Sequence, residues 1–403
     1  MEFLELYAEA ARTAAGFFWK AGWAFVLGYS VSAMIQAFVP KGRLTPYLGD
    51  PDARSISLAT VFGAASSSCS FAALAAARAL VMKGAHFVAA VAFMFASTNL
   101  VIELGILILI FLGWQFLAAE IVGGLLLIAI SSVLIRLTYP QGWVQASRKA
   151  LEQQANDDED DFDWRKRIRS AEGWQIVGQR FVSDWKMVWE EILIGFTIAG
   201  FVAVLVPPWF WERIFLVGMA GAIPDWLIAL ENALVAPFVA AATFIGSMGN
   251  IPLATVLNGN GVLFAGLMGF IYSDLMVPPL VMINARYYGW RVALYIAAIM
   301  YVSIVVTAVA MHFIFGALGI VPESGRQVGD VARFELDYTF YLNVLFVVVA
   351  GAMVWLYRRS DSADSVNHDH SEGRLGPKRI IALLAACILT FGGALHFFVG
   401  SAS

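Results

Sequence analysis

Charge is what this sequence has least of. Only 14% of its residues are Asp, Glu, Lys or Arg, 60% are hydrophobic, and the mean hydropathy is +0.74. Soluble domains are nearer one quarter charged and one half apolar, so a water-soluble globule is excluded at the outset. Cysteine is nearly absent: Cys69 and Cys387 are the only two, both in apolar stretches. They define neither a disulfide framework nor a zinc site. No HExxH, GxSxG or GxxxxGK[ST] occurs, so no enzyme, no cofactor and no ATP-driven step is expected of this chain. The polar-apolar alternation of membrane β-barrel strands is missing too. The opening "MEFLELYAEAARTAAG" is acidic and polar rather than basic, so no cleaved signal peptide is expected.

What is present is apolar length. Eight blocks approach the roughly 20 residues a spanning helix needs: Phe17–Val39, His86–Leu112, Phe116–Leu137, Ile192–Val206, Leu263–Ile283, Val292–Phe315, Phe340–Leu356 and Ile380–Val399. Two more stretches, 56–80 and 233–257, are interrupted by Gly, Ser, Asn or Pro. Trp114, Trp209, Trp211 and Trp290 read as interface anchors, and His86 and His312 as structural residues near span ends. Two polar tracts separate the blocks. Residues 138–186 contain "NDDEDDFDWRKRIR" and read as a solvated loop, with Trp164–Trp185 an amphipathic helix at the interface. Residues 358–379 contain His368 and His370, which in so polar a tract define no metal geometry.

The interior repeats. Residues 64–101, shifted by 177 positions, give eight identities in 38 ungapped pairs, among them Ser70 with Ser247, Gly84 with Gly261 and Phe93 with Phe270. Gly113-Trp114 recurs at Gly289-Trp290, and Gly28 with Pro40 recurs as Gly195 with Pro207. The chain therefore reads as two homologous halves followed by two extra helices.

Charge orients them. Cytoplasmic loops carry excess Lys and Arg. If 138–186 and 358–379 are inside, residues 187–316 must cross an odd number of times, and the interrupted block 233–257 must enter and leave on one face. Applied to 56–80 as well, the same path puts 21 of the 26 Lys and Arg inside. The expected fold is thus an all-α polytopic membrane protein of two inverted repeats. Each has three spanning helices and a re-entrant hairpin, and two C-terminal helices bring the total to about eight crossings. The expected parts are a first repeat at 1–137, a cytoplasmic charged loop at 138–186, a second repeat at 187–316, and two helices in 317–403 with a cytoplasmic loop at 358–379. Both termini lie outside, and the expected home is a bacterial inner membrane. Inverted repeats with broken segments meeting near the midplane are the plan of many secondary transporters.

Polar residues gather where the segments break. The first tip is "SSSCS" (Ser66, Ser67, Ser68, Cys69, Ser70), and its repeat mate is "GSMGN" with Pro252 following, which supplies Ser247, Gly249 and Asn250. Helix N-termini starting there present N–H donors to a solute. Ser97, Thr98 and Asn99 lie nearby in sequence, and Ser97 is the repeat mate of Asp274. An ionisable group at bilayer depth marks a pathway by default, so Asp274 and Glu103 are the expected proton or ion carriers.

At these residues the chain resembles the predicted-permease family of YraQ-like proteins and organoarsenical efflux permeases. The carrying motifs are Ser67-Ser68-Cys69-Ser70 followed by Ala73-Leu74, then Ala96-Ser97-Thr98-Asn99, and in the second half Gly249-Asn250-Ile251-Pro252 with Gly261. The family pattern has a Cys-Ser-Cys element followed by Pro-Leu, and a later Pro. Here Ser67 stands for the first Cys, Ala73 for the Pro and Thr98 for the later Pro. The resemblance implies a permease fold, while the single thiol offers a poor cage for a soft metalloid. The expected function is a secondary transporter, of efflux type and proton-coupled, moving a small solute. A passive channel-like pore and a membrane thiol enzyme using Cys69 are the alternatives. The expected partners are that solute and the lipid bilayer, with no nucleic acid and with room for a homo-oligomer.

Overall fold

The computed structural model describes residues 2–38, 48–66, 70–138, 164–219, 221–243, 245–322, 334, 336–360 and 377–400. Among these residues the secondary structure is helical, with no strands. The first half runs α1 (Glu2–Phe38), α2 (Ala53–Ser66), α3 (Ser70–Met82), α4 (Phe87–Asn99), α5 (Ile102–Phe111) and α6 (Trp114–Thr138). A short α7 (Trp164–Arg169) leads into α8 (Ala171–Leu205) and α9 (Pro208–Ile214). The second half continues with α10 (Asp225–Thr243), α11 (Ser247–Gly259), α12 (Phe264–Ile271), a 3-10 turn at Asp274–Met276, α13 (Pro278–Tyr288) and α14 (Trp290–Leu318). Two further helices close the chain, α15 (Tyr338–Arg358) and α16 (Pro377–Gly400).

The halves keep register. Shifting α3, α4, α5 and α6 by about 177 residues lands them on α11, α12, α13 and α14. The glycines between these helices match in conformation as well. Gly84 and Gly261 have φ of +97° and +83°, and Gly113 and Gly289 have +105° and +83°. Side chains rarely adopt such backbone, which is why glycine sits at both copies of each turn. Packing repeats in the same way. Both α2 and α3 lie on α4, as α10 and α11 lie on α12, while α3 touches α13 as α11 touches α5. The halves meet through α1 on α8 and α6 on α14.

The core sits on two short apolar helices, α4 and α12. Every residue of α4 is buried, and so is every residue of α12. A helix apolar on all sides is stable only when enclosed on all sides. Outer faces are the reverse: Leu125 is 50%, Leu294 59% and Val347 70% exposed, the surface a bilayer covers. Among the described residues six helices are long and apolar enough to cross a membrane, or seven if the pair α4–α5, bent by 42°, is one span.

Several expected boundaries move. The first helix begins at Glu2 and not near Phe17, so the polar opening stretch forms the first turns of α1. Trp164–Trp185 is not one interfacial helix. Ser170 caps α8 by accepting the Gly173 N–H at 3.0 Å, and no breaker interrupts the helix from Ala171 through the span to Leu205. The block Leu263–Ile283 is not continuous, because Pro278 and Pro279 force a restart. The helix α10, which carries the first part of the interrupted stretch 233–257, is itself long enough to cross.

The C-terminal pair docks on α1 and α8. Asn343 of α15 enters the backbone ladder of α1: its Oδ1 accepts the Trp23 N–H at 2.9 Å, and its Nδ2 donates to the Trp19 carbonyl at 2.8 Å. One side chain thus takes both partners of a single helical hydrogen bond. Lys20 pairs with Asp337 at 2.9 Å one turn away.

Candidate functional site

Two helices start at serines and point at one carboxylate. Ser70 is the first residue of α3 and Ser247 the first of α11. Between them stands Asp274, fully buried, in the turn that separates α12 from α13. Ser70 Oγ donates to Asp274 Oδ2 at 3.2 Å. The hydroxyls of Thr98 and Ser247 and the Leu275 amide face the same carboxylate at longer range. Asp274 Oδ1 has no hydrogen-bond partner among the described residues. The turn exists because the chain must stop one helix and begin another at Pro278, and that stop places an acid among N–H-rich helix ends.

A second acid completes the cluster. Glu120 of α6 is buried, and neither of its oxygens has a hydrogen-bond partner among the described residues. Tyr272 donates to the Ala119 carbonyl at 2.7 Å, tying the broken segment to α6 beside Glu120. Gly123, one turn on, leaves the space that the Tyr272 hydroxyl fills. Buried carboxylates without a cationic partner carry full charge only at a high cost.

Other expected site residues fall into three groups. Ser70, Thr98 and Ser247 are brought together at Asp274. Ser66, Ser97, Asn99 and Asn250 are buried and spend hydrogen bonds locally, as the Thr98 hydroxyl also does toward Met94 and Phe95. Ser66 donates to Gly63, Ser97 to Met94, and Asn99 to Phe95, while Asn250 Oδ1 accepts from Thr243 at 3.5 Å. Asn250 Nδ2 remains unpartnered among the described residues. The third group lies at helix contacts and inside helix turns. Gly249 lets α11 meet Gly195 of α8 backbone to backbone. Pro252 sits inside α11, where it cannot donate to the Met248 carbonyl. Glu103 lies in the first turn of α5, against Gly28 of α1. Ser67, Ser68 and Cys69 lie outside the described residues, as do His368 and His370.

Glu120 was the residue that sequence reasoning passed over. Its signal was an acid seven residues into the 25-residue apolar helix α6, as visible there as Asp274 was. Among the described residues no group of three or more His, Cys, Asp or Glu is placed to hold a metal.

Apolar helices that wrap hydroxyls and unpaired carboxylates define a multi-pass membrane protein with a polar centre. A family model described as a predicted permease, ArsP_1, matches residues 6–313, and the chain belongs to that family. It is also 38% identical over 329 residues to a protein of Mycobacterium tuberculosis (strain ATCC 25618 / H37Rv) named "Putative permease Rv2963", covering 78% of this chain and 79% of that one. No solved structure matches the chain. The membrane permease expected from the sequence is therefore the class to which it belongs.

Proposed function

We propose that the chain is a secondary transporter that carries a small polar solute through a site at Asp274, by alternating access of two inverted halves. The observation that carries this reading is the hydrogen bond from Ser70, at the start of α3, to the buried carboxylate of Asp274, in the helix break of the other half. Broken segments whose helix ends meet at mid-depth are where secondary transporters bind solute and coupling ion. An unpaired acid at that depth marks the pathway. The register of the halves, down to the paired glycine turns, supports a duplicated unit. The Lys and Arg distribution supports opposite orientations of its copies.

In this reading α2–α3 and α10–α11 are the re-entrant pairs. The proton is exchanged on the Asp274–Glu120 pair, and not on Glu103. The charged tract 138–163 faces the cytoplasm of a bacterial inner membrane, and both termini face outward. Efflux is proposed as the direction, by the family resemblance.

The test is coupled flux in proteoliposomes loaded with a pH-sensitive dye. A panel of small polar solutes is offered under an imposed pH gradient. At least one solute should move protons saturably in the wild type, and Asp274→Asn should abolish that coupled movement. Non-saturating flux that survives Asp274→Asn would make the chain a passive pore instead.

A further inference from the structure

A crevice of about 430 Å³ opens between α5 and α6, and its lining includes both Asn99 and Glu120. Its outer walls are aliphatic: Ile102, Leu109, Ile121 and Leu125 line it and are each between 44% and 50% exposed on the membrane-facing surface. Its inner end is polar in one sense only. Asn99 donates through Nδ2 to the Phe95 carbonyl at 3.2 Å and to the Thr98 hydroxyl at 3.3 Å, which uses both its protons. Asn99 Oδ1 and both oxygens of Glu120 are left without partners, and these two residues are 2% and 1% exposed. The Tyr272 hydroxyl, the nearby donor, is committed to Ala119.

We infer that this crevice is a binding site for a small amphipathic cation, an alkylammonium-type molecule whose apolar body lies along the aliphatic walls. Its charged, donor-rich head reaches Glu120 and Asn99. Three facts select that chemistry. The volume is that of a small-molecule site. Acceptors buried without partners are costly, so the ligand that relieves them must donate. A lipid acyl chain fits the walls but leaves the acceptors as they were, and an anion meets a carboxylate. The site opens sideways between helices, so such a ligand enters from the bilayer. It shares Glu120 with the transport reading but is tested separately, by equilibrium binding with no gradient.

The test is calorimetric titration of the full chain in lipid nanodiscs with n-hexylammonium, n-hexyltrimethylammonium and hexanoate, with empty nanodiscs subtracted. Saturable binding of n-hexylammonium is expected, at least tenfold tighter than that of the trimethyl analogue, which has no donor. Hexanoate should not bind. Glu120→Gln should weaken n-hexylammonium at least tenfold. Ile121→Trp, which fills the crevice from an exposed wall, should abolish binding with the carboxylate intact. Equal binding of hexanoate, or binding unchanged in both variants, would make the crevice a lipid-filled groove and overturn the inference. So would no saturable binding at all.

Discussion

Ser70 and Asp274 are 204 residues apart in the chain, and the hydroxyl of one donates to the carboxylate of the other at 3.2 Å. The bond joins the start of a helix in the first half to a helix break in the second. Ser247, the repeat mate of Ser70, faces the same carboxylate from the other side of the repeat. Because they share one acceptor group, the two serines should not act independently. Ser70→Ala and Ser247→Ala should each destabilise the protein, since a buried carboxylate loses a donor, at a cost of about 1–3 kcal/mol. The double variant should depart from the sum by roughly 0.5 kcal/mol or more. Thermal unfolding of the four proteins in nanodiscs measures this, and strict additivity would mean the serines do not share Asp274.

Close helix contact around the acids depends on a missing side chain. A Cβ at Gly123 would collide with the Tyr272 hydroxyl. Gly123→Ala should therefore displace Tyr272 from the Ala119 carbonyl and cost about 1–3 kcal/mol, the usual range for overpacking. Tyr272→Phe in the same background should recover part of that loss, because it removes the clashing atom. Unfolding midpoints of the single and double variants decide it.

Docking of the C-terminal helices should depend on acid. Burial raises the Asp337 carboxyl, but hydrogen bonds from Lys20 and Thr339 outweigh it and hold the group below its ordinary value of 3.8. A carboxyl lowered on folding stabilises the folded form above its unfolded value, and that stabilisation is lost as pH falls through the lowered one. Contact between α1 and α15 should therefore loosen below about pH 4. Asp337→Asn should remove that pH dependence. Amide exchange at the N-terminal end of α15, followed from pH 6 to pH 3, reads the effect. Unchanged exchange in the wild type across that range would count against it.

Asn343 should hold the same interface without any charge. Its side chain replaces one rung of the α1 ladder between Trp19 and Trp23. Asn343→Leu removes both hydrogen bonds while the local backbone of α1 can close its own ladder. The expected loss is modest, about 1 kcal/mol, with faster exchange in α15 and little change in α4.

Much of this fold was legible because membranes write long apolar words. Six of the eight blocks lie on single helices to within a residue, His86–Leu112 and Leu263–Ile283 are each divided in two, and the paired breaks at 56–80 and 233–257 mark where helices restart. Glycine identities announced turns that the two halves share. What escaped the sequence was local continuity. Leu263–Ile283 has the hydropathy of one span, but two prolines divide it. Trp164–Trp185 looks amphipathic, yet its larger part belongs to a helix that keeps going. The acids were legible only in part. Asp274 stood beside a proline pair and drew attention, whereas Glu120 sat in smooth apolar sequence. Which acids face each other is a property of helix packing, and spacing along the chain does not carry it.

The measurement that tests the central claim most directly is water access to the meeting point. A single cysteine at Ser247→Cys, with Cys69 and Cys387 replaced by serine, is exposed to a membrane-impermeant thiol reagent from each face of oriented vesicles. The account predicts reaction from both faces, because a solute site served by alternating access opens to each in turn. Reaction from one face only, or from neither, would contradict it and make the cluster around Asp274 a dry packing contact.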